Sequence, residues 1–229
     1  NASTVFAGAI SGTGRLIKQG SGALTLTGTS SSHTGTILVN SGRLKFSGSS
    51  AASITVGATG RLAGTGSTTG SLTMSGGSTL MLAGGAATAG LAANGVTFSG
   101  ATTVWFEDTP VEGTVYDLFA YGSGTVNDLE NLTVLSRGTL ADDAVNHKIT
   151  FTAGANVRTW NTTTGTWDLG LTADWVEGDQ VFRNGDRVVF GDIAGDAVVT
   201  LGGTLTPGSV TVNNAANQYT FTETGRRFG

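Results

Sequence analysis

Cysteine is absent from this 229-residue chain, and proline and histidine occur only twice each. The missing thiols exclude a disulfide framework, a cysteine nucleophile and thiolate metal ligands. They fit an oxidising compartment and the cytosol equally, so they do not set location. Charge is scarce too: 12% of the residues, against an ordinary share of about 25%. Acid is missing altogether from residues 1–106, which hold Arg15, Lys18, Arg43, Lys45 and Arg61, and all 16 Asp and Glu come later. Paired-carboxylate glycoside hydrolysis therefore has no place in that half. No apolar run is long enough for a membrane-spanning helix, and no secretory-leader pattern opens the chain. The zinc-protease, phosphate-loop and nucleophile-elbow motifs are all missing.

What the chain has is glycine, 37 residues of it, with abundant Thr and Ser and a short repeated cassette. The cassette alternates apolar and polar residues and ends on Gly: RLIKQG (15–20), ALTLTG (23–28), RLKFSG (43–48), RLAGTG (61–66) and TLMLAG (79–84). Leu24, Leu44, Leu62 and Leu80 follow one another at 20, 18 and 18 residues. Leu16, Ile37, Ile54 and Leu72 form a second series at 21, 17 and 18. Each unit of about 18–20 residues thus holds two short strands with a turn between them. Pleating sends Leu24 and Leu26 to one face and Thr25 and Thr27 to the other. Strands this short bury too little to stand alone, so coils must stack and pair through their backbones. A disordered Gly/Ser linker shares the composition but not the regularly placed Leu, Ile, Val and Phe. Alternation from Leu16 points Lys18 inward, where it is expected to snorkel out of an unfinished first coil.

Further along, the rhythm loosens. GGAATAGLAANG (84–95) reads as a loop. TVYDLFAY (114–121) and KITFTAG (148–154) alternate like strands, and LADDAVNH (140–147) fits a helical turn. Asn184-Gly185 lies between VFR and DRVVF and gives a two-residue hairpin signal. Pro207-Gly208 marks another turn.

Residues 6–48, FAGAISGTGRLIKQGSGALTLTGTSSSHTGTILVNSGRLKFSG, resemble the passenger-associated strand repeat of bacterial autotransporters. Gly14, Leu16, Lys18, Gly20, Gly22, Leu24, Thr25, Leu26 and Gly28 match its pattern in order, followed by Thr34, Gly35, Val39, Gly42 and Leu44. His33 stands in an aromatic slot of the family's loop. The likeness is looser through about residue 108. It implies a right-handed parallel β-helix on a secreted or surface-displayed bacterial protein. The C-terminal part, WNTTTGTWDLGLTADW (160–175), FRNGDRVVFGD (182–192) and 199–221, resembles a companion segment of very large repeat proteins of Verrucomicrobia-like bacteria. There it leads into a new strand repeat. The chain opens on Asn1 and stops soon after YTFTE, so it reads as one cycle of a longer tandem array.

Five features of the chain could carry chemistry. His33 fits a loop residue better than a catalytic base. His147, beside Asp142 and Asp143, is a candidate to orient a carboxylate or bind a metal. Asp168, Asp174, Glu177, Asp179, Asp186 and Asp192 offer the hard oxygens that calcium selects, without EF-hand or nonapeptide spacing; solvated acidic turns explain them as well. Trp160, Trp167 and Trp175, with Trp105, suit either sugar stacking or capping of a solenoid end or hairpin, and capping is favoured. Five cations without a dense cluster make a weak polyanion footprint. Arg15, Arg43 and Arg61 each precede a strand's first inward Leu, however, and stacking would bring some together, which argues for acidic or sulfated glycans.

The expected fold is all-β: a right-handed parallel β-helix with a β-rich C-terminal part containing a hairpin. Coils are expected over 1–108, an irregular β-rich insertion or continued coils over 109–157, and a Trp-containing β segment over 158–229. The expected function is a non-catalytic structural or adhesin-like module of a surface repeat protein. The alternative is a polysaccharide-binding or polysaccharide-degrading β-helix. No catalytic, cofactor-binding or metal-binding residue is assigned and no cofactor is expected. Expected partners are neighbouring repeat units of the parent chain and environmental or host glycans, with neither nucleic acid nor membrane insertion of this segment. The expected location is the cell surface, with outer-membrane association through the parent.

Overall fold

A computed structural model describes residues 2–83 and 90–223. The regular structure of the described residues is almost entirely β, with one 3-10 turn at Leu129–Asn131. Contacts divide the chain into two compact units. Unit 1 comprises Asn1–Glu107, Val115–Val134 and Leu140–Thr152; unit 2 comprises Asp108–Thr114, Leu135–Thr139 and Ala153–Gly229.

Unit 1 is a stack of coils paired in parallel, as in a β-solenoid. The counted spacing is its register. Leu24 lies beside Leu44, Leu44 beside Leu62, Leu62 beside Leu80 and Leu80 beside Val104. Leu16, Ile37, Ile54, Leu72 and Val96 stack likewise. Like sits on like because any other register would turn the apolar set outward. In two rungs the paired short strands fuse into single eleven-residue strands, Thr36–Phe46 and Ser53–Ala63. Their pairing shifts between Val39 and Ser41, and Gly42 takes φ +71° just beyond.

The coil has a third, polar side that alternation did not reveal. Thr29–Ser30, Ser49–Ser50, Ser67–Thr68 and Leu91–Ala93 belong to a seven-stranded sheet. Ser30, Ser50 and Thr68 point inward and are buried. Their hydroxyls are satisfied by the backbone: Ser50 Oγ accepts Ala52 N–H at 3.1 Å, and Thr68 Oγ1 accepts Gly70 N–H at 3.1 Å. Corner glycines let the coils close up. A Cβ on Gly48 would collide with the Gly28 carbonyl below it.

Lys18 does not snorkel. It is 7% exposed and heads the interior column of Val39, Val56, Met74 and Phe98. Its Nζ donates to Gln19 O at 2.9 Å, Gly20 O at 2.7 Å and Ser41 O at 3.0 Å. Those carbonyls turn inward at the corner, so burying the ammonium satisfies three acceptors at once.

Two further expectations change. Of the expected loop 84–95, residues 84–89 lie outside the described residues, while Leu91–Ala93 is a strand. Residues 140–147 form no helical turn. They complete the strand Gly138–Asp143 and then a turn leading into Lys148–Ala153. Asp143 Oδ1 fixes that turn by accepting Asn146 N–H at 3.1 Å. Val115–Tyr121 and Lys148–Ala153 are strands as their alternation predicts, and they pair antiparallel with each other.

Unit 2 has two three-stranded parallel ladders. One joins Val157–Thr159, Arg187–Phe190 and Ser209–Val212; the other joins Thr164–Asp168, Ala197–Gly202 and Tyr219–Glu223. The hairpin expected at Asn184-Gly185 does not form. Arg187–Phe190 is paired on both edges by parallel strands, leaving no edge for Val181–Arg183. Phe182 instead enters the aromatic core, and Asn184 bridges in parallel to Ser136.

Leu62→Ala leaves a hole in a fully buried column and is expected to cost about 2–5 kcal/mol. Thr25→Ala, on the outward face, should stay within about 0.5 kcal/mol. Denaturant midpoints of the two variants check the ordering. Equal midpoints would contradict the assigned interior.

Candidate functional site

Register groups some of the cations on one outward face of unit 1. Arg43 lies beside Arg61, and Lys45, two residues on, points to the same side. Arg15 does not join them, because it pairs beside Thr36 in the other column. The Lys45 column continues through Ala63 and Met81 to half-buried Trp105, whose neighbours Val104 and Phe106 face the core. Arg43 is held by Glu107: Nη1 and Nη2 donate to Oε1 and Oε2 at 2.8 and 3.0 Å. Sequence reasoning missed this pair, since the two residues are 64 apart and no motif links them. Lys45 and Arg61 have no ion-pair partner among the described residues.

Neither histidine is placed as a catalytic base. His33 is 2% exposed, with Nε2 3.0 Å from the Gly14 carbonyl; Nδ1 has no partner among the described residues. His147 lies edge-on to Tyr121 at 5.3 Å. Asp142, its expected companion, is taken by the Tyr121 hydroxyl, which donates to Oδ1 at 2.7 Å. That hydrogen bond, with desolvation and the charges of Asp142 and Asp143, pushes the Tyr121 hydroxyl up to about 12. Asp143 is held below the usual carboxylate range by Asn146.

The acidic stretch 168–192 is dispersed over separate tasks. Asp168 accepts the Leu171 and Thr172 N–H groups, Asp174 accepts Thr166 N–H, and Asp192 accepts those of Ala215 and Ala216. Among the described residues no three or more His, Cys, Asp or Glu converge as a metal site. Asp186 is fully buried, and its carboxylate accepts Arg137 Nη2 at 3.0 Å and Arg183 N–H at 2.9 Å. Arg158, 1% exposed, donates Nη2 to Asp179 at 2.6 Å.

The tryptophans of unit 2 present no sugar platform. Trp160, Trp167 and Trp175 are buried with Phe182 and Phe190 in the unit's own core. Trp160 meets Trp175 edge-on at 5.1 Å, and Trp167 meets Phe182 edge-on at 5.3 Å. These are the preferred geometries of aromatic quadrupoles. The expected choice between capping and stacking thus resolves as core packing.

Asp179 generates a pH prediction. Desolvation raises its pKa, but hydrogen bonding to Arg137 and the charges of Arg137, Arg158 and Arg183 outweigh that and hold it below the usual carboxylate range. Such a group contributes stability above its unfolded pKa, and the contribution is lost as pH falls through the folded value. Unit 2 should weaken as pH drops below about 4. Asp179→Asn should be less stable at neutral pH and lose less on acidification. Thermal melts by tryptophan fluorescence at both pH values check this, and an unchanged pH slope in the variant would contradict it.

No curated protein and no solved structure matches the chain. Residues 16–46 match the family described as Passenger-associated-transport-repeat. The matched residues span Leu16 to Phe46, two successive rungs that contain Lys18, His33, Gly42 and Arg43. That repeat family implies display outside the cell and is not a known enzymatic family. Residues 16–46 thus carry the passenger-associated repeat of autotransporter proteins, within a unit built of coils paired in parallel.

Proposed function

We propose that this chain is a non-catalytic structural and adhesin-like module of a secreted or surface-displayed bacterial repeat protein. It serves as a stalk segment or a binding surface, and the parent protein ties it to the outer membrane. Its immediate partners are neighbouring repeat units of the same parent. One observation carries the reading most directly: the parallel ladder from Leu24 through Leu44, Leu62 and Leu80 to Val104, in which each rung presents a backbone edge matched to the next. Such a ladder extends by adding rungs and needs no separate core for each addition. Its outward positions are free to vary without disturbing the interior columns.

Fusion of the chain between an export signal and an outer-membrane barrel tests the display reading. An epitope at the N-terminal end should be open to antibody and protease on intact cells. Retention in the periplasm would contradict the reading. Purified chain should release no sugars from pectin, mucin glycans or other polysaccharides. Turnover abolished by one point substitution would overturn the non-catalytic assignment.

A further inference from the structure

The corner at Gly42 holds more positive charge than its surface shows. A hollow on the outward face is lined by Ser21, Ser41, Gly42, Arg43, Thr59 and Arg61. Directly beneath its floor lies the buried Lys18 ammonium; a methyl group on Gly42 would sit 2.6 Å from Nζ. Among the described residues, that ammonium donates to neutral carbonyls, those of Gln19, Gly20 and Ser41. With no Asp or Glu before Glu107, no carboxylate from its own or adjoining coils stands nearby in sequence to balance it. Glu107 is occupied by both guanidinium nitrogens of Arg43. A charge in a low-dielectric interior is felt more strongly at a nearby groove than the same charge in water. Arg61 borders the hollow and is exposed. A second hollow shares Arg43 as a wall and adds Lys45, Met81 and Glu107.

We propose that this outward face binds a linear acidic polysaccharide, with an anionic group at the Gly42 hollow. Arg61 makes the direct ionic contact there and Lys45 makes a second one along the chain. Lys18 supplies the field from below without touching the ligand. Trp105 stands three register steps from Lys45 in the same outward column, about 14 Å at about 4.8 Å per step. Its half-exposed ring, beside Met81, offers an apolar platform for a sugar face. Nucleic acid suits this surface less well. Tight binding there rests on about 6–10 phosphate contacts, and the face offers two exposed cations.

The proposal deepens the binding-surface half of the module reading. Its failure leaves the display result untouched, because display is read by antibody access and this site by affinity. The test is calorimetric titration of the intact chain with a short heparin fragment, polygalacturonate, neutral dextran and an oligothymidylate. The acidic polysaccharides should bind and weaken with added salt, and dextran should not bind. Arg61→Gln and Lys45→Gln should each lose roughly tenfold, the scale of a charge-assisted hydrogen bond. Arg15→Gln, in the other column, should bind like the parent. Trp105→Ala should weaken binding without changing its salt dependence. Circular dichroism confirms that each variant keeps its β structure, so lost affinity is not lost fold. Unchanged affinity in Arg61→Gln, an equal loss in Arg15→Gln, or tighter binding of oligothymidylate with the same Arg61 dependence would each overturn the proposal.

Discussion

Parallel backbone pairing between successive rungs is the constraint on which the rest of unit 1 depends. A strand of four residues has no stability of its own; paired above and below, its N–H and C=O groups are satisfied while its apolar side chains join a column. The pairing also dictates which residues meet. Once Leu44 sits over Leu24, Lys45 must sit over Thr25 and Arg43 over Ala23. The outward surface is thus a by-product of the interior register, and the grouping of Arg43 with Arg61 follows from the same alignment that stacks Leu44 on Leu62.

Two buried cations show contrasting solutions to one problem. Lys18 meets backbone carbonyls at a corner, where the chain turns its acceptors inward. Arg158 meets carboxylates, with Asp179 on one side and fully buried Asp186 on the other. The planar guanidinium can serve several acceptors in fixed directions, which suits a shared network; the ammonium suits a ring of carbonyls. Unit 2 therefore carries its buried charges as pairs, whereas the Lys18 corner adds a positive charge to its surroundings.

Much of the fold was legible because period and alternation are direct consequences of stacking and pleat. The Leu and Ile series named their own neighbours. The third side of the coil was hidden, because its strands are two residues long and place Ser30, Ser50 and Thr68, not Leu, in the interior. Asn184-Gly185 misled because a turn signal is local, whereas the edges of Arg187–Phe190 had already gone to distant strands. At the outward face, the cations and Trp105 were visible in the sequence, but their placement was not. Separating Arg15 from Arg43 and Arg61 required the register, and the hold of Glu107 on Arg43 required the folded surface.

The corner glycines bear on how such a chain evolves. Gly48 is pressed against Gly28, and Gly66 in turn against Gly48, where a Cβ would come within 2.6 Å of the carbonyl oxygen. A side chain gained at one corner would strain the corner below it, so these positions cannot drift one at a time. Duplicating or deleting a whole coil preserves every such contact. Smaller length changes are absorbed only outside the stacked columns, as at the shift between Val39 and Ser41 or in the 24-residue step from Leu72 to Val96. Copy number therefore becomes the easiest heritable variable this architecture offers, with turns and bulges taking up the remainder.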